Sequence, residues 1–122
     1  MDNTSIGMPW GFEPIKVHTD RYMVKSLHIH HGEGTSVQFH QRKDESVSLI
    51  AEDAKLSLYK SKDDAPSQSE LSFGKWLRIR AGRFHRMESA SGCEIMEVSA
   101  PEPDDMVWLI DPPLRQVTCL AH

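Results

Sequence analysis

Short segments in which apolar and polar residues alternate, separated by turn-forming residues, occupy most of this chain. They are Tyr22 to His30, Ser36 to His40, Ser46 to Ile50, Lys55 to Tyr59, Lys75 to Arg80, Phe84 to Met87, Glu94 to Ser99 and the stretch around Met106 to Ile110. A period of two predicts a β-strand with one buried face, and no stretch of helical period has both a cap and a stop signal. The polar run Lys60 to Glu70 contains a proline and is predicted to be a loop. The pattern predicts an all-β fold, a closed or nearly closed antiparallel barrel.

The length and composition favour a soluble, single-domain protein. With 122 residues the chain suits one domain, with the barrel at about 9–115 and short irregular ends. The formal net charge of −4 argues against a nucleic-acid partner, which would need a basic face. No apolar run approaches the roughly 20 residues that span a bilayer, and the N-terminus does not resemble a signal peptide. The two cysteines, Cys93 and Cys119, lack metal-type spacing, so a reducing cytoplasm is expected.

Four polar residues could form one site inside such a barrel. Gln38 and His40 are two positions apart, so in one strand their side chains point to the same face. Glu45 follows across a short turn, and His85 comes much later, after a turn at Gly82. Two imidazoles, a carboxylate and an amide oxygen suit a divalent ion such as zinc, nickel, manganese or iron. The spacing alone does not establish the site, because a histidine followed by a glutamate at this distance is common by chance.

Four motifs, in order along the chain, resemble the cupin superfamily. The more specific similarity is to the C-terminal cupin domain of type II mannose-6-phosphate isomerases. The matching segments are Pro9-Trp10-Gly11-Phe12-Glu13, Ser36-Val37-Gln38-Phe39-His40 with Glu45, Gly74 to His85, and Glu97 to Asp105. The resemblance covers residues 9 to 115. It implies a single-domain jelly-roll β-barrel with one metal ion held by Gln38, His40, Glu45 and His85.

The resemblance also implies a function, and the chain departs from the family at places that bear on it. The leading hypothesis is a metal-dependent sugar or sugar-phosphate isomerase acting by proton transfer. The family usually has a glycine in the turn after the glutamate strand, where this chain has Ala51 to Ala54. An arginine near the family's C-terminal end is thought to serve catalysis, and Arg115 is its candidate here. Two prolines, Pro112 and Pro113, fix a different backbone before it.

Two further residues are candidates for catalysis, each with a plainer alternative. Lys25 shares the inward face of its strand, so it either reaches to the barrel rim or meets an anionic group of the substrate. Glu97 alternates with Ile95 and Ser99, so it either moves a proton or balances a cation at the barrel end. The partner expected is a small carbohydrate or sugar phosphate, and a homodimer is expected from the family. A non-catalytic metal-containing binding module and a metal-dependent oxygenase are the alternative functions.

Overall fold

The chain folds into β-strands joined by turns. The computed structural model describes residues 7–61, 63–101 and 106–108, and this part of the chain contains no helix. Accordingly, it holds no helix with the length and apolar character needed to cross a membrane. The strands, in chain order, are β1 (Gly7–Met8), β2 (Gly11–Phe12), β3 (Ile15–His18), β4 (Met23–Ile29), β5 (Gln38–His40), β6 (Glu45–Glu52), β7 (Lys55–Tyr59), β8 (Ser67–Glu70), β9 (Leu77–Ile79), β10 (Phe84–Glu88), β11 (Cys93–Ser99) and β12 (Met106–Trp108).

Two sheets, whose paired strands are antiparallel, make up the fold. The first has the order β1-β2-β4-β11-β6-β9, with β3 also pairing with β4. The second has the order β12-β5-β10-β7-β8. Strands that are distant in the sequence are thus neighbours in each sheet, and the chain passes repeatedly from one sheet to the other. This arrangement confirms the predicted all-β jelly-roll class.

The interior between the sheets is divided along the strands into an apolar part and a polar part. On β11, for example, Ile95 belongs to the buried apolar core, and the next inward residue is the buried Glu97. On β6 the order is reversed, because the buried Glu45 comes first and the core residue Val47 follows. The antiparallel register aligns these parts, with the core residue Ile95 opposite Leu49 and the buried Ser99 opposite Glu45. Each strand therefore contributes to both parts, and the polar part holds the candidate site.

Most strand predictions are confirmed, with ends that shift by a few residues. The strand at Lys55–Tyr59 matches the prediction in full. The predicted loop Lys60 to Glu70 is wrong in its second half, because Ser67–Glu70 forms an edge strand paired with β7. All four residues of that strand are exposed, so it carries no apolar alternation for sequence analysis to detect. The short strands β1 to β3 also escaped prediction.

Gly11 explains one position of the Pro9-Trp10-Gly11-Phe12-Glu13 motif. Strand β2 lies so close to β4 that a Cβ atom built on Gly11 would come within 1.7 Å of the backbone oxygen of His28. No side chain fits there without moving the backbone. The glycine therefore allows the first segment of the chain to pair with β4, and this pairing places Glu13 over the interior.

Glu52 ends β6, within the Ala51 to Ala54 stretch that departs from the motif resemblance. Its φ is 69°, in the left-handed region, and it is the one non-glycine residue with positive φ in the described part of the chain. This conformation costs a residue with a side chain roughly 1–2 kcal/mol. Glu52 is exposed and ends β6 next to an irregularity in the β6–β11 register. The chain thus keeps the backbone of a glycine turn without the glycine.

Replacing Glu52 with glycine is therefore expected to stabilise the protein. Relief of strain outweighs the greater entropy of glycine in the unfolded chain, which leaves a gain of about 0.5–1 kcal/mol. The free energy of unfolding, measured by urea denaturation, checks this. Glu70→Gly is the matched control: Glu70 is also exposed but lies in an extended strand, so the same change should destabilise the protein. Destabilisation by both changes would contradict the prediction.

Candidate metal centre

The four predicted ligand residues are buried, and the structure brings them to the polar part of the interior. Gln38 and His40 point to the buried side of β5, whereas Phe39 between them is only partly buried. His85 lies on the neighbouring strand β10, directly opposite Gln38 in the register. Glu45 is the first residue of β6 in the facing sheet, where it is buried as well. Whether all four bind a metal ion stays a prediction.

The loop before Glu45 and the turn before His85 are tied together by backbone and side-chain contacts. The Gly82 amide donates a hydrogen bond to the His40 carbonyl oxygen at 2.7 Å. The Asp44 carboxylate accepts a hydrogen bond from Arg78 and another, at 2.7 Å, from the Ala81 amide. These bonds hold the pKa of Asp44 below its usual range, the arginine contributing most. Two segments that are far apart in sequence are thereby fixed as one rim of the site.

The side chains of His40, Glu45 and His85 converge on one small region. Glu45 Oε2 lies 3.3 Å from His40 Nε2 and 3.3 Å from His85 Nε2. At these distances neither Glu45 Oε2 nor His85 Nε2 makes a hydrogen bond of normal geometry with any residue in the described part of the chain. Buried polar atoms without such bonds are costly, so these two atoms are suited to bind a cation. A cation between them would satisfy both atoms.

A hydrogen bond to the backbone orients the His85 ring. Its Nδ1 atom lies 2.9 Å from the Arg83 carbonyl oxygen, which can only accept. The proton is therefore assigned to Nδ1, and in the neutral ring Nε2 keeps its lone pair facing Glu45. Metal-binding histidines commonly show this arrangement, with one nitrogen on the ion and the other donating to a carbonyl group.

The buried charges shift each other's pKa values. Burial alone would raise the pKa of Glu45, but the facing imidazoles of His40 and His85 hold it well below its usual range. Burial alone would lower the pKa of His85, but the Glu45 carboxylate raises it. In the absence of a metal ion the carboxylate and the imidazolium therefore stabilise each other. A bound cation would take the place of the imidazolium proton.

Glu97 joins this group from the adjacent strand. His40, Glu45 and Glu97 each offer a ligand atom, and these atoms lie within 4.8 Å of one another. Glu97 is 5% exposed. Burial, and then the negative charge of Glu45, raise its pKa well above the usual range. The structure thus places Glu97 at the candidate metal centre, where it could either transfer protons or bind the ion.

Lys25 is buried and does not reach the barrel rim, which was one of its two predicted positions. It is 6% exposed, and its Nζ lies 3.3 Å from Oε1 of the buried Glu13. Burial alone would lower the pKa of Lys25, but the charges of Glu13 and Glu97 raise it above its usual range. Glu13 was missed as a site residue, although it is the last residue of the first family motif.

Two residues that the sequence analysis named, Arg115 and Cys119, lie outside the described residues. Arg115 was the third catalytic candidate. The other cysteine, Cys93, is a buried free thiol.

The metal-free protein is expected to be most stable at mildly acidic pH. The raised pKa of His85 contributes stability that is complete below about pH 6.5 and is lost as the pH rises through the folded-state value. The lowered pKa of Glu45 contributes stability that is present above about pH 4.3 and is lost on further acidification. Thermal unfolding with a chelator should therefore show a melting temperature that falls between about pH 6.5 and 9.

His85→Ala is the control for that measurement, because it removes the histidine and should reduce the decline above about pH 6.5 to the part that comes from the raised pKa of Glu97. With excess Zn²⁺ the trend should reverse in the wild-type protein, since metal binding requires a deprotonated imidazole and strengthens as the pH rises. A melting temperature of the chelated protein that rises steadily from about pH 5 to 9 would contradict the assignment.

Comparison with known proteins supports the fold. No protein-family profile and no curated protein sequence matches the chain. Among solved structures, the capsular polysaccharide assembling protein CapF from Staphylococcus aureus is 17% identical with a TM-score of 0.75, over 86% of this chain and 31% of CapF. The oxalate decarboxylase of Lactobacillus farciminis, in a formate complex, is 12% identical with a TM-score of 0.73, over 86% of this chain and 33% of that protein.

A third similar structure is closer to this chain in size. It is an uncharacterised conserved protein with a double-stranded β-helix domain from Klebsiella pneumoniae, 14% identical with a TM-score of 0.66, over 88% of this chain and 81% of that protein. The chain spans about a third of CapF and of the decarboxylase. At these identities the comparisons show the fold alone. The chain has the double-stranded β-helix fold of the cupins, with a candidate metal site in its interior. The finer resemblance to mannose-6-phosphate isomerases stays a prediction.

Proposed function

We propose that this chain is a metal-dependent isomerase of a small sugar or sugar phosphate, which works by proton transfer between neighbouring carbons. The observation that supports this most is the position of Glu97. Its carboxyl group lies in the buried interior beside the ligand atoms of His40 and Glu45. A group that can carry a proton and a site that can hold a cation therefore face the same small volume.

The residues present fit a divalent ion of the zinc, nickel, manganese or iron type. Gln38, His40, Glu45 and His85 would hold it through one amide oxygen, two imidazole nitrogens and one carboxylate. The fit rests on the buried Glu45 Oε2 and His85 Nε2 atoms, which face each other at 3.3 Å without a hydrogen bond of normal geometry. When bound, the ion would polarise the oxygens of an open-chain sugar and make the neighbouring carbon-bound proton more acidic.

The chain's own residues would carry out the proton transfer. Glu97 would take the proton from one carbon, hold it on its carboxyl group and return it to the adjacent carbon. Because Glu97 is buried, bulk water has little access to its carboxyl group, which limits loss of the proton to solvent. Lys25, buried on the strand next to Glu97, adds a fixed positive charge close to the reacting region.

The fold by itself does not choose the substrate. One similar structure is a capsular polysaccharide assembling protein and another an oxalate decarboxylase, so related barrels serve different chemistry. The choice of a sugar rests on the motif resemblance to the isomerases, which extends over most of the chain. The carbohydrate context of CapF agrees with that choice.

The experiment that tests this function combines metal analysis with an isomerisation assay. The purified protein should contain about one divalent ion per chain. Incubated with mannose 6-phosphate and related aldoses, it should form the corresponding ketose, which NMR detects. A protein that contains metal and binds sugar without forming the ketose would indicate a binding module. Oxygen uptake would indicate an oxygenase. A protein that binds no metal and is unaffected by His40→Ala would exclude all three.

A further inference from the structure

A row of buried charged side chains extends from the candidate metal centre across the first sheet. It consists of Glu13, which directly follows β2, and of Lys25, Glu97 and Glu45, which lie on the neighbouring strands β4, β11 and β6. All four residues are less than 10% exposed. A row of charges at this depth is unusual, because taking each charge out of water is costly. Its arrangement therefore calls for an explanation beyond folding.

The register fixes how the members of this row meet. Lys25 and Glu97 are directly opposite each other in the antiparallel pairing of β4 with β11, and both are inward-facing. On its other side, Lys25 Nζ contacts Glu13 Oε1 at 3.3 Å. Glu97 in turn lies beside Glu45, with a carboxylate oxygen within 4.8 Å of the Glu45 ligand atom. The lysine thus stands between one carboxylate that anchors it and another that borders the metal centre.

Stability alone does not account for the Glu13–Lys25 pair. A buried ion pair is often no more stabilising than apolar residues of the same volume, whereas loss of one partner is strongly destabilising. The other inward residues of β4 include Leu27 and Ile29, which pack in the apolar core. An apolar residue at 25 would extend that core. The pair instead provides a positive charge opposite the carboxylate that borders the metal centre.

We propose that Lys25 is a positioning residue, which is anchored by Glu13 and holds the Glu97 carboxylate against the metal centre. This inference rests on the proposed function, since it concerns the residue assigned to proton transfer. Two carboxylates as close as those of Glu45 and Glu97 repel each other, and the opposing ammonium group offsets that repulsion. Glu13 offsets the charge of Lys25, so the lysine is directed to Glu97 and not to an anionic substrate group. Glu13 thereby acquires a role in the site.

The test uses the sign of the change in Zn²⁺ affinity when Lys25 is replaced. Loss of a positive charge alone would tighten the binding of a cation, because it removes a repulsion. Loss of positioning would release Glu97 from the metal centre and weaken binding, on the order of 10-fold for a residue outside the ligand set. Lys25→Met is therefore expected to weaken Zn²⁺ binding about 10-fold and to change the Co²⁺ absorption spectrum. The same substitution at exposed Lys16, on β3, is the matched control and should do neither.

Two double variants separate positioning from a merely structural role. In a Glu97→Gln background, Lys25→Met should no longer weaken Zn²⁺ binding, because the residue that it positions has lost its charge. In Glu13→Gln/Lys25→Met, where both buried charges are removed, the stability lost in Lys25→Met should largely return while Zn²⁺ binding stays weak. Recovery of both properties would overturn the proposal, as would unchanged or tighter binding in Lys25→Met.

Failure of the proposed function gives a different result. A wild-type protein that binds Zn²⁺ but catalyses no isomerisation would remove the isomerase assignment, while the affinity and spectral effects of Lys25→Met would still establish the positioning role. A wild-type protein that binds no metal would overturn both.

Discussion

Replacing Glu45 with glutamine is expected to weaken Zn²⁺ binding by at least about 100-fold. Loss of a residue that only supports a ligand typically costs roughly 10–100-fold, and loss of a direct ligand should cost no less. Glutamine keeps the shape of the side chain but removes the charge that both imidazoles face at 3.3 Å. Isothermal titration with Zn²⁺ measures the affinity, and circular dichroism checks that the variant is folded.

Glu94→Gln provides a matched control on the outer side of the same sheet. Glu94 also faces a histidine, with its Oε2 at 3.7 Å from His28 Nε2, and it accepts a hydrogen bond from Ser26. The change in chemistry is the same, but the pair is partly exposed and lies away from the interior. Its affinity for Zn²⁺ should match that of the wild-type protein. Equal losses in the two variants would mean that Glu45 is not a ligand.

Glu97→Gln is expected to abolish isomerase activity while the protein stays folded and, with Zn²⁺ in excess, stays loaded with metal. General acid–base groups contribute roughly 10²–10⁴-fold to rates, so kcat should fall by at least about 100-fold. The fold should tolerate the change, because in the metal-free protein burial and the charge of Glu45 raise the pKa of Glu97 and favour its neutral form, which glutamine resembles. A bound cation would favour the carboxylate form that the reaction needs. The rate of ketose formation, followed by NMR, gives kcat, and metal analysis gives the occupancy.

Glu94→Gln, on the opposite face of the same strand, is again the control and should leave kcat unchanged. Loss of the metal itself in Glu97→Gln would show that Glu97 is a ligand, which would remove it from the proton-transfer role. Full activity of the Glu97→Gln variant would exclude Glu97 from the reaction altogether.

The sequence was informative where core residues alternate with polar ones. In β7 the core residue Leu56 and Leu58, which packs against the core, alternate with the polar Lys55 and Ser57, so the residue types show the period of two and the strand is predictable. In β8 both faces are exposed, so no alternation marks it, and only its pairing with β7 defines it. The strands β1 and β2 have two residues each and are too short for any periodicity. These strands form through contacts between distant segments, such as that of Gly11 with His28. Such contacts leave no pattern in the local sequence.

The sequence predicted four residues that the structure places in the polar part of the interior, but it predicted neither Glu13 nor the contacts between the buried charges. The same-face spacing of Gln38 and His40 follows from strand geometry, and the family resemblance supplied Glu45 and His85. The partner of Lys25 could not be inferred, because Glu13 and Lys25 meet only through the pairing of separate segments. A strand pattern assigns a residue to a face, whereas register and packing decide which charge it meets. For this reason the alternatives for Lys25 stayed open until the fold was known.

The division of the interior into an apolar part and a polar part has a consequence for the evolution of such a barrel. Because core residues such as Ile95 and site residues such as Glu97 alternate with outward residues on one continuous strand, a single register keeps both in place. Substitutions in the polar part leave the apolar part of each strand untouched, so new chemistry need not be accompanied by a new core. The same scaffold can therefore exchange ligands and substrates through few mutations, whereas a shift of one residue in any strand would lose stability and activity together.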